Sequence, residues 1–284
     1  MAINSIEIWV NERPEHKTFR EVVHTILYAI SSTKDLQGLM VMKGGILLAL
    51  GYESTRFTTD IDFSSEKQLK EFNVEEFVAK LDPALVEAVE NLGYDVDCLV
   101  QSWEQKPPRE DATFPTLRIK VGYANRSNER MHRRLLQKNA NHVVRVDFSL
   151  NEPRGDPELF EIEDGKSIQT YSYHDLVAEK YRAVLQQEVR NRKRRQDIYD
   201  LRLLIDLPSL SSDNVIKSKI IKSLKEKSEA RNLSVDKNSM KNPEIVRRSR
   251  EQYDVLANEI EGDLPDFEES YELVRIYYES LPWG

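Results

Sequence analysis

The chain has 284 residues, 39% of them hydrophobic and 32% charged, which is enough to bury a real core and favours two domains over one. Its net charge of -8 excludes a protein that coats nucleic acid without discrimination, although it leaves local recognition open. No stretch approaches the ~20 apolar residues of a membrane helix, and the first thirty residues lack the basic start and apolar centre of a secretion signal.

Taken in chain order, residues 18–31 place Phe19, Val22, Val23, Ile26, Leu27 and Ile30 at helical spacing and predict an amphipathic helix. Residues 39–42 form a short apolar run halted by Gly44-Gly45, which predicts a buried strand entering a tight turn. A helix is expected over 46–50, ended by Gly51. Residues 56–64 alternate as a strand, and 74–92 show a helical period that stops at Gly93. Strands are expected at 94–103 and 116–123, separated by a Pro107-Pro108 loop, and again at 143–150 before a turn region at 153–157. Beyond Ser172 the strand signals vanish, and 175–187, 196–207, 214–231, 243–260 and 266–281 all read as helices. The polar segment 233–242, without a clear period, is the best candidate for a mobile loop. These elements predict an α/β (α+β) domain with a mixed sheet over residues 1–170, followed by an all-helical domain over 171–284.

Cys98 is the only cysteine, so no internal disulfide can form, and no constellation supports a catalytic thiol. The reducing cytoplasm is the simplest location. Two basic runs interrupt the acidic background, at 126–138 (RSNERMHRRLLQK) and 190–195 (RNRKRR). A solvated helix end or loop accounts for such runs as well as a nucleic-acid contact does.

The residues that carry chemistry begin on the strand at 56–64. Alternation puts Arg56, Thr58, Asp60, Asp62 and Ser64 on one face, with Phe57, Ile61 and Phe63 on the other. Two carboxylates a few Å apart repel, and a hard divalent cation such as Mg²⁺ relieves that repulsion. Taken alone, the pair equally suits an exposed strand face or a salt-bridged one. Lys43-Gly44-Gly45 lies at the expected strand-to-helix turn, where paired glycines let backbone approach a phosphate and a helix N-terminus favours negative charge. The strand at 143–150 repeats the parity, with Arg145, Asp147 and Ser149 on one face. A third carboxylate on a neighbouring strand completes a two-metal site, which clamps the attacking and leaving oxygens of an in-line displacement. On the helix at 175–187, Lys180 is the lone charge in an apolar stripe of Leu176, Val177, Tyr181, Val184 and Leu185, so it needs an anion as partner. Asp197 and Asp200 sit beside the stripe of the following helix. Ion pairing between the two helices competes with a phosphate as the explanation of all three.

The combination resembles the AbiEii-type nucleotidyltransferase toxins, a branch of the DNA polymerase β-like nucleotidyltransferase superfamily found in bacterial abortive-infection and toxin–antitoxin systems. The resemblance rests on Gly44-Gly45, on Arg56 to Asp62 as Arg-x-Thr-x-Asp-x-Asp, on Lys180 followed by Ala183, and on Arg195 to Leu201 as Arg-x-Asp-x-x-Asp-Leu. Gln187 occupies the position where the family pattern leads one to expect Arg. The resemblance covers about residues 38–207. It implies a polymerase β-like fold with Asp60 and Asp62 coordinating Mg²⁺ (two ions, with Mn²⁺ as a substitute) and Asp147 helping to hold the second and receiving a proton. It further implies that Gly44 and Gly45 cradle the phosphates of a nucleoside triphosphate with Thr58 alongside, while Lys180 contacts the triphosphate with support from Asp197 or Asp200. The implied acceptor is RNA, in related toxins the tRNA 3′ end, and the implied partner is an antitoxin protein. Two other readings remain at this point: transfer to a protein or small molecule, and a non-catalytic nucleotide-binding module.

Overall fold

The computed structural model describes residues 5–109, 111–163 and 165–284. Its backbone divides into two compact units. One comprises 1–51, 59–152 and 157–170, and the other 52–58, 153–156 and 171–284.

The first unit is built on one mixed sheet. Its strands are β1 (Val41–Lys43), β2 (Asp60–Ser64), β3 (Val96–Lys106), β4 (Thr116–Asn125), β5 (His142–Ser149), β6 (Glu158–Glu163) and β7 (Lys166–Thr170). They lie in the order β3-β4-β5-β2-β1-β7-β6. The central pairs are the ones that matter for function: β2 runs parallel to β5 and antiparallel to β1. Among the described residues, the α-helices that accompany the sheet are α1 (Ile6–Glu12), α2 (Lys17–Ser32), α3 (Lys34–Gln37), α4 (Gly44–Gly51), α5 (Val74–Leu92) and α6 (Glu129–Leu136).

Local chemistry explains these boundaries. Asn73 caps α5 by accepting from Glu76 N, and Gly93 ends it in the left-handed conformation at φ +67°. Helix α2 is buried on almost every side from Arg20 to Ser31, which its apolar stripe alone does not foretell. Ile61 and Phe63 of β2 and Val144, Val146 and Phe148 of β5 are all buried, and Phe148 stacks on Phe77 of α5 with centroids 5.4 Å apart. The opposite face of those strands carries Asp60, Asp62, Arg145 and Asp147.

The second unit is helical: α7 (Tyr173–Leu185), α8 (Arg195–Ile205), α9 (Pro208–Ser211), α10 (Asn214–Glu229), α11 (Pro243–Arg250) and α12 (Phe267–Glu279). Ser172 caps α7 through Asp175 N. Asp175 is itself buried, accepting from Gly155 N at 2.7 Å and Ser223 Oγ at 2.5 Å, with Lys227 Nζ at 3.5 Å. This anchor between α7 and α10 had no signature in the sequence.

Several expected elements are redrawn. The strand expected at 56–64 begins only at Asp60. Strands β6 and β7 lie where no strand was expected, and β7 pairs in parallel with β1. The helix expected over 243–260 stops at Arg250 and resumes as a 3-10 helix at Tyr253–Asn258, after Gln252 turns left-handed at φ +64°. The segment 233–242, expected to be mobile, is tied down: Tyr278 OH donates to Asp236 O at 2.9 Å and Tyr271 OH to Met240 O at 2.8 Å.

Candidate active site

The register of the sheet assembles the carboxylates. Asp62 and Asp147 are direct partners across β2 and β5, and Asp60 lies opposite Arg145 one pleat away on the same face. The row continues outward from Asp62 to Lys43 on β1, and from Asp147 to Arg118 on β4 and Glu104 on β3. Three carboxylates separated by up to eighty-seven positions in the chain thus share one sheet face.

Two of the three are held by arginines. Arg145 donates to Asp60 through Nε at 2.8 Å and through a terminal nitrogen at 2.9 Å. Arg118 makes the same forked contact with Asp147, at 3.0 and 3.3 Å. The hydrogen bond to Asp147 and its charge hold the Arg118 guanidinium above its ordinary range. Neither pairing was read from the sequence, although strand parity at 116–123 put Arg118 on an even position and was the available signal.

Gly44 closes the other side of Asp62. It sits at φ +76°, at the junction of β1 and α4, and a β-carbon there would collide with Asp62 Oδ2 and lie 2.8 Å from Asp62 Cγ. Only glycine permits both the backbone angle and that approach. Gly45 is buried as the second residue of α4, and Lys43 is the last residue of β1. The helix N-terminus therefore opens beside the carboxylate row.

The donor set suits a hard divalent cation, since it offers carboxylate oxygens from two adjacent strands in a cradle that a side chain at 44 would fill. Among the described residues, no three Asp, Glu, His or Cys side chains yet converge as a finished metal cluster. Asp60 and Asp147 are turned towards their arginines instead.

The remaining expected site residues belong to the helical unit. Lys180 of α7 is buried and donates to Asp200 at 2.6 Å and to Asp197 at 3.1 Å, both on α8. Arg56 forks onto the other side of Asp200, with both contacts at 3.0 Å. Burial pulls the Lys180 ammonium down, but Asp200 and Asp197 outweigh it and hold it above its usual value. Burial likewise pushes the Asp200 carboxyl up, yet Lys180 and Arg56 keep it below the ordinary carboxylate range. Ion pairing satisfies Lys180, Arg56 and Asp200, whereas Asp197 Oδ2 is buried without a hydrogen-bond partner among the described residues, with Arg194 3.8 Å away. Arg56 and Thr58, expected on the strand face with Asp60, instead lie in the segment 52–58 of the helical unit, where Phe57 N donates to Glu259 O at 2.6 Å. Gln187 is a structural residue, fully buried and bonded at 2.9 Å to both Ile245 O and Ser249 Oγ.

Comparison with known proteins identifies the family. A search of curated proteins finds no match. Among solved structures, the chain is similar to JHP933 from Helicobacter pylori, at 16% identity with a TM-score of 0.52, covering 95% of this chain and 92% of that one. It is also similar to MenT4, a nucleotidyltransferase toxin from Mycobacterium tuberculosis, at 17% identity with a TM-score of 0.53, covering 96% and 87%. These likenesses show a shared fold. The family model described as nucleotidyl transferase AbiEii toxin, type IV TA system, matches residues 25–273, and the chain therefore belongs to the AbiEii nucleotidyltransferase toxin family.

Proposed function

We propose that the protein transfers nucleotides from a nucleoside triphosphate to an RNA 3′ hydroxyl, with the tRNA 3′ end as the acceptor, and that it thereby arrests translation until an antitoxin protein intervenes. The observation that carries the catalytic reading is the register of Asp62 against Asp147, with Gly44 held against Asp62. Family membership supports the toxin role and the antitoxin partner. Nucleoside triphosphates and tRNA place the reaction in the cytoplasm, and no helix among the described residues is long and apolar enough to cross a membrane.

In this reading Asp60, Asp62 and Asp147 would hold two Mg²⁺ ions, or Mn²⁺ in their place. Such ions neutralise charge on the triphosphate and lower the pKa of an attacking hydroxyl. Gly44 and Gly45 present backbone N–H groups at the start of α4 to the phosphates, flanked by Lys43. Asp147 receives the proton as the 3′ oxygen attacks the α-phosphorus, and pyrophosphate departs. Lys180, Asp197, Asp200 and Arg56 act by fixing α7, α8 and the segment 52–58 that carries Thr58. The protein's contribution is positioning and charge, with no covalent intermediate on the chain.

The test supplies each of the four labelled nucleotides separately with Mg²⁺, total tRNA and a cell lysate. Label on tRNA that vanishes with Asp62→Asn and Asp147→Asn is the expected result. Label on protein alone would overturn the RNA acceptor, and label unchanged by both substitutions would overturn the site.

A further inference from the structure

Helix α6 is fastened to the same sheet face as the carboxylates. On β4, Thr116, Arg118, Lys120, Gly122 and Ala124 alternate onto one face, and Arg118 identifies it as the face of Asp147. A side chain at Gly122 would meet Ala140 Cβ and Gln101 Oε1, both at 2.9 Å, and Leu135 Cδ1 at 3.2 Å. Leu135, Ala140 and Ala124 form a small buried cluster with Leu99 and Met131 packed against it. The apolar side of α6 therefore sits directly over β4, four residues from Arg118, or roughly 13 Å along the strand.

That packing turns Arg130 and Arg133 outward, where both are exposed. Their neighbours are occupied: Arg126 and His132 meet Asp97 at 2.7 and 2.6 Å, and Lys138 meets Asp82 at 3.3 Å. Among the described residues no carboxylate pairs with Arg130, Arg133 or Lys120, and Lys120 lies on the carboxylate face, directly across from Arg145. The last three cations of the second basic run all face carboxylates. Lys193 pairs with Glu251, Arg195 with Glu259 at 2.6 Å, and Arg194 stands 3.8 Å from Asp197. A chain with net charge -8 has carboxylates to spare, yet among the described residues forms no ion pair with Arg130, Arg133 or Lys120; only the charge of Glu104 acts on Lys120 from beyond contact.

We infer that the outer side of α6, with Lys120, binds the phosphodiester backbone of the acceptor strand and leads its 3′ end along β4 to the carboxylate row. This rests on the RNA-acceptor reading. Phosphate contacts of this kind position a strand without reading its bases, so they suit an enzyme whose target is an end rather than a sequence.

The experiment measures binding of fluorescein-labelled total tRNA to the full-length protein by anisotropy over a range of KCl concentrations. The variants are Arg130→Glu/Arg133→Glu and the milder Arg130→Gln/Arg133→Gln. Two lost phosphate contacts lower the slope of log affinity against log salt by roughly 1.5 and weaken binding on the order of 10-fold or more. Calorimetric binding of nucleoside triphosphate with Mn²⁺ stays at the wild-type value and reports an intact fold. Wild-type tRNA affinity and slope in both variants would overturn the α6 surface while leaving the RNA acceptor standing. A wild-type protein that binds no tRNA would overturn both.

Discussion

The α-carbon of Gly44 faces the carboxylate of Asp62 so closely that no β-carbon fits between them. Gly44→Ala therefore meets two penalties, about 1–2 kcal/mol for a left-handed alanine and a displaced Asp62. Transfer activity is expected to fall by about 100-fold or more, as a misplaced catalytic group costs. Gly93→Ala is the control. Gly93 is also left-handed, but open space surrounds its missing side chain. That variant should melt slightly earlier and keep full activity; equal activity losses in the two would remove Asp62 from the explanation.

Arg145 and Arg118 cover oxygens of Asp60 and Asp147 that the proposed metal ions would use. Exposed ion pairs contribute about 0.2–1 kcal/mol, so releasing one tightens metal binding about 1.5- to 5-fold. Calorimetric titration of nucleotide-free protein with Mn²⁺ should show that gain in Arg145→Gln and Arg118→Gln. Unchanged or weaker binding would mean that the arginines help to shape the metal site and do not compete for it.

Lys180→Met removes a buried ammonium and leaves Asp200 and Asp197 with Arg56 as the main counter-charge. Breaking such a pair costs about 3–5 kcal/mol, which urea denaturation resolves easily. The linkage has two edges. Asp200 is held low, so its contribution is complete above the ordinary carboxylate pKa and is lost as acid protonates it. Lys180 is held high, so its contribution is complete below the ordinary lysine pKa and is lost only as alkali rises past that range. A variant as stable as wild type at neutral pH would show that the network carries no stability.

His24 sits inside α2, and burial pushes its pKa down to about 4. Its Nδ1 faces Tyr94 OH at 2.8 Å, and Glu163 stands 3.2 Å from Nε2. The unfolded chain binds a proton near pH 6.5 that the folded chain refuses, so stability is flat above that pH and falls between 6.5 and 4. The decline amounts to at most about 3 kcal/mol. His24→Gln should flatten the decline in urea midpoints over that window. A variant that retains the full wild-type slope would assign the titration elsewhere.

The carboxylates were legible because strand alternation is a local property. Asp60 with Asp62, and Arg145 with Asp147, share faces whatever lies beside them, and two glycines after an apolar run mark a turn in any fold. The family pattern reinforced that reading and the class of the fold. Pairing across strands is not local. Nothing in the order of residues says that Asp62 faces Asp147, that Arg118 claims Asp147, or that β7 returns to lie beside β1. Arg56 shows the same limit from the other side. It alternates with Asp60 in sequence, but its side chain forks onto the buried Asp200 and β2 starts four residues later. Residue type and spacing settled which groups were available for chemistry. Their partners were settled by packing, because burial makes a charge choose the nearest counter-charge in space, however distant it lies along the chain.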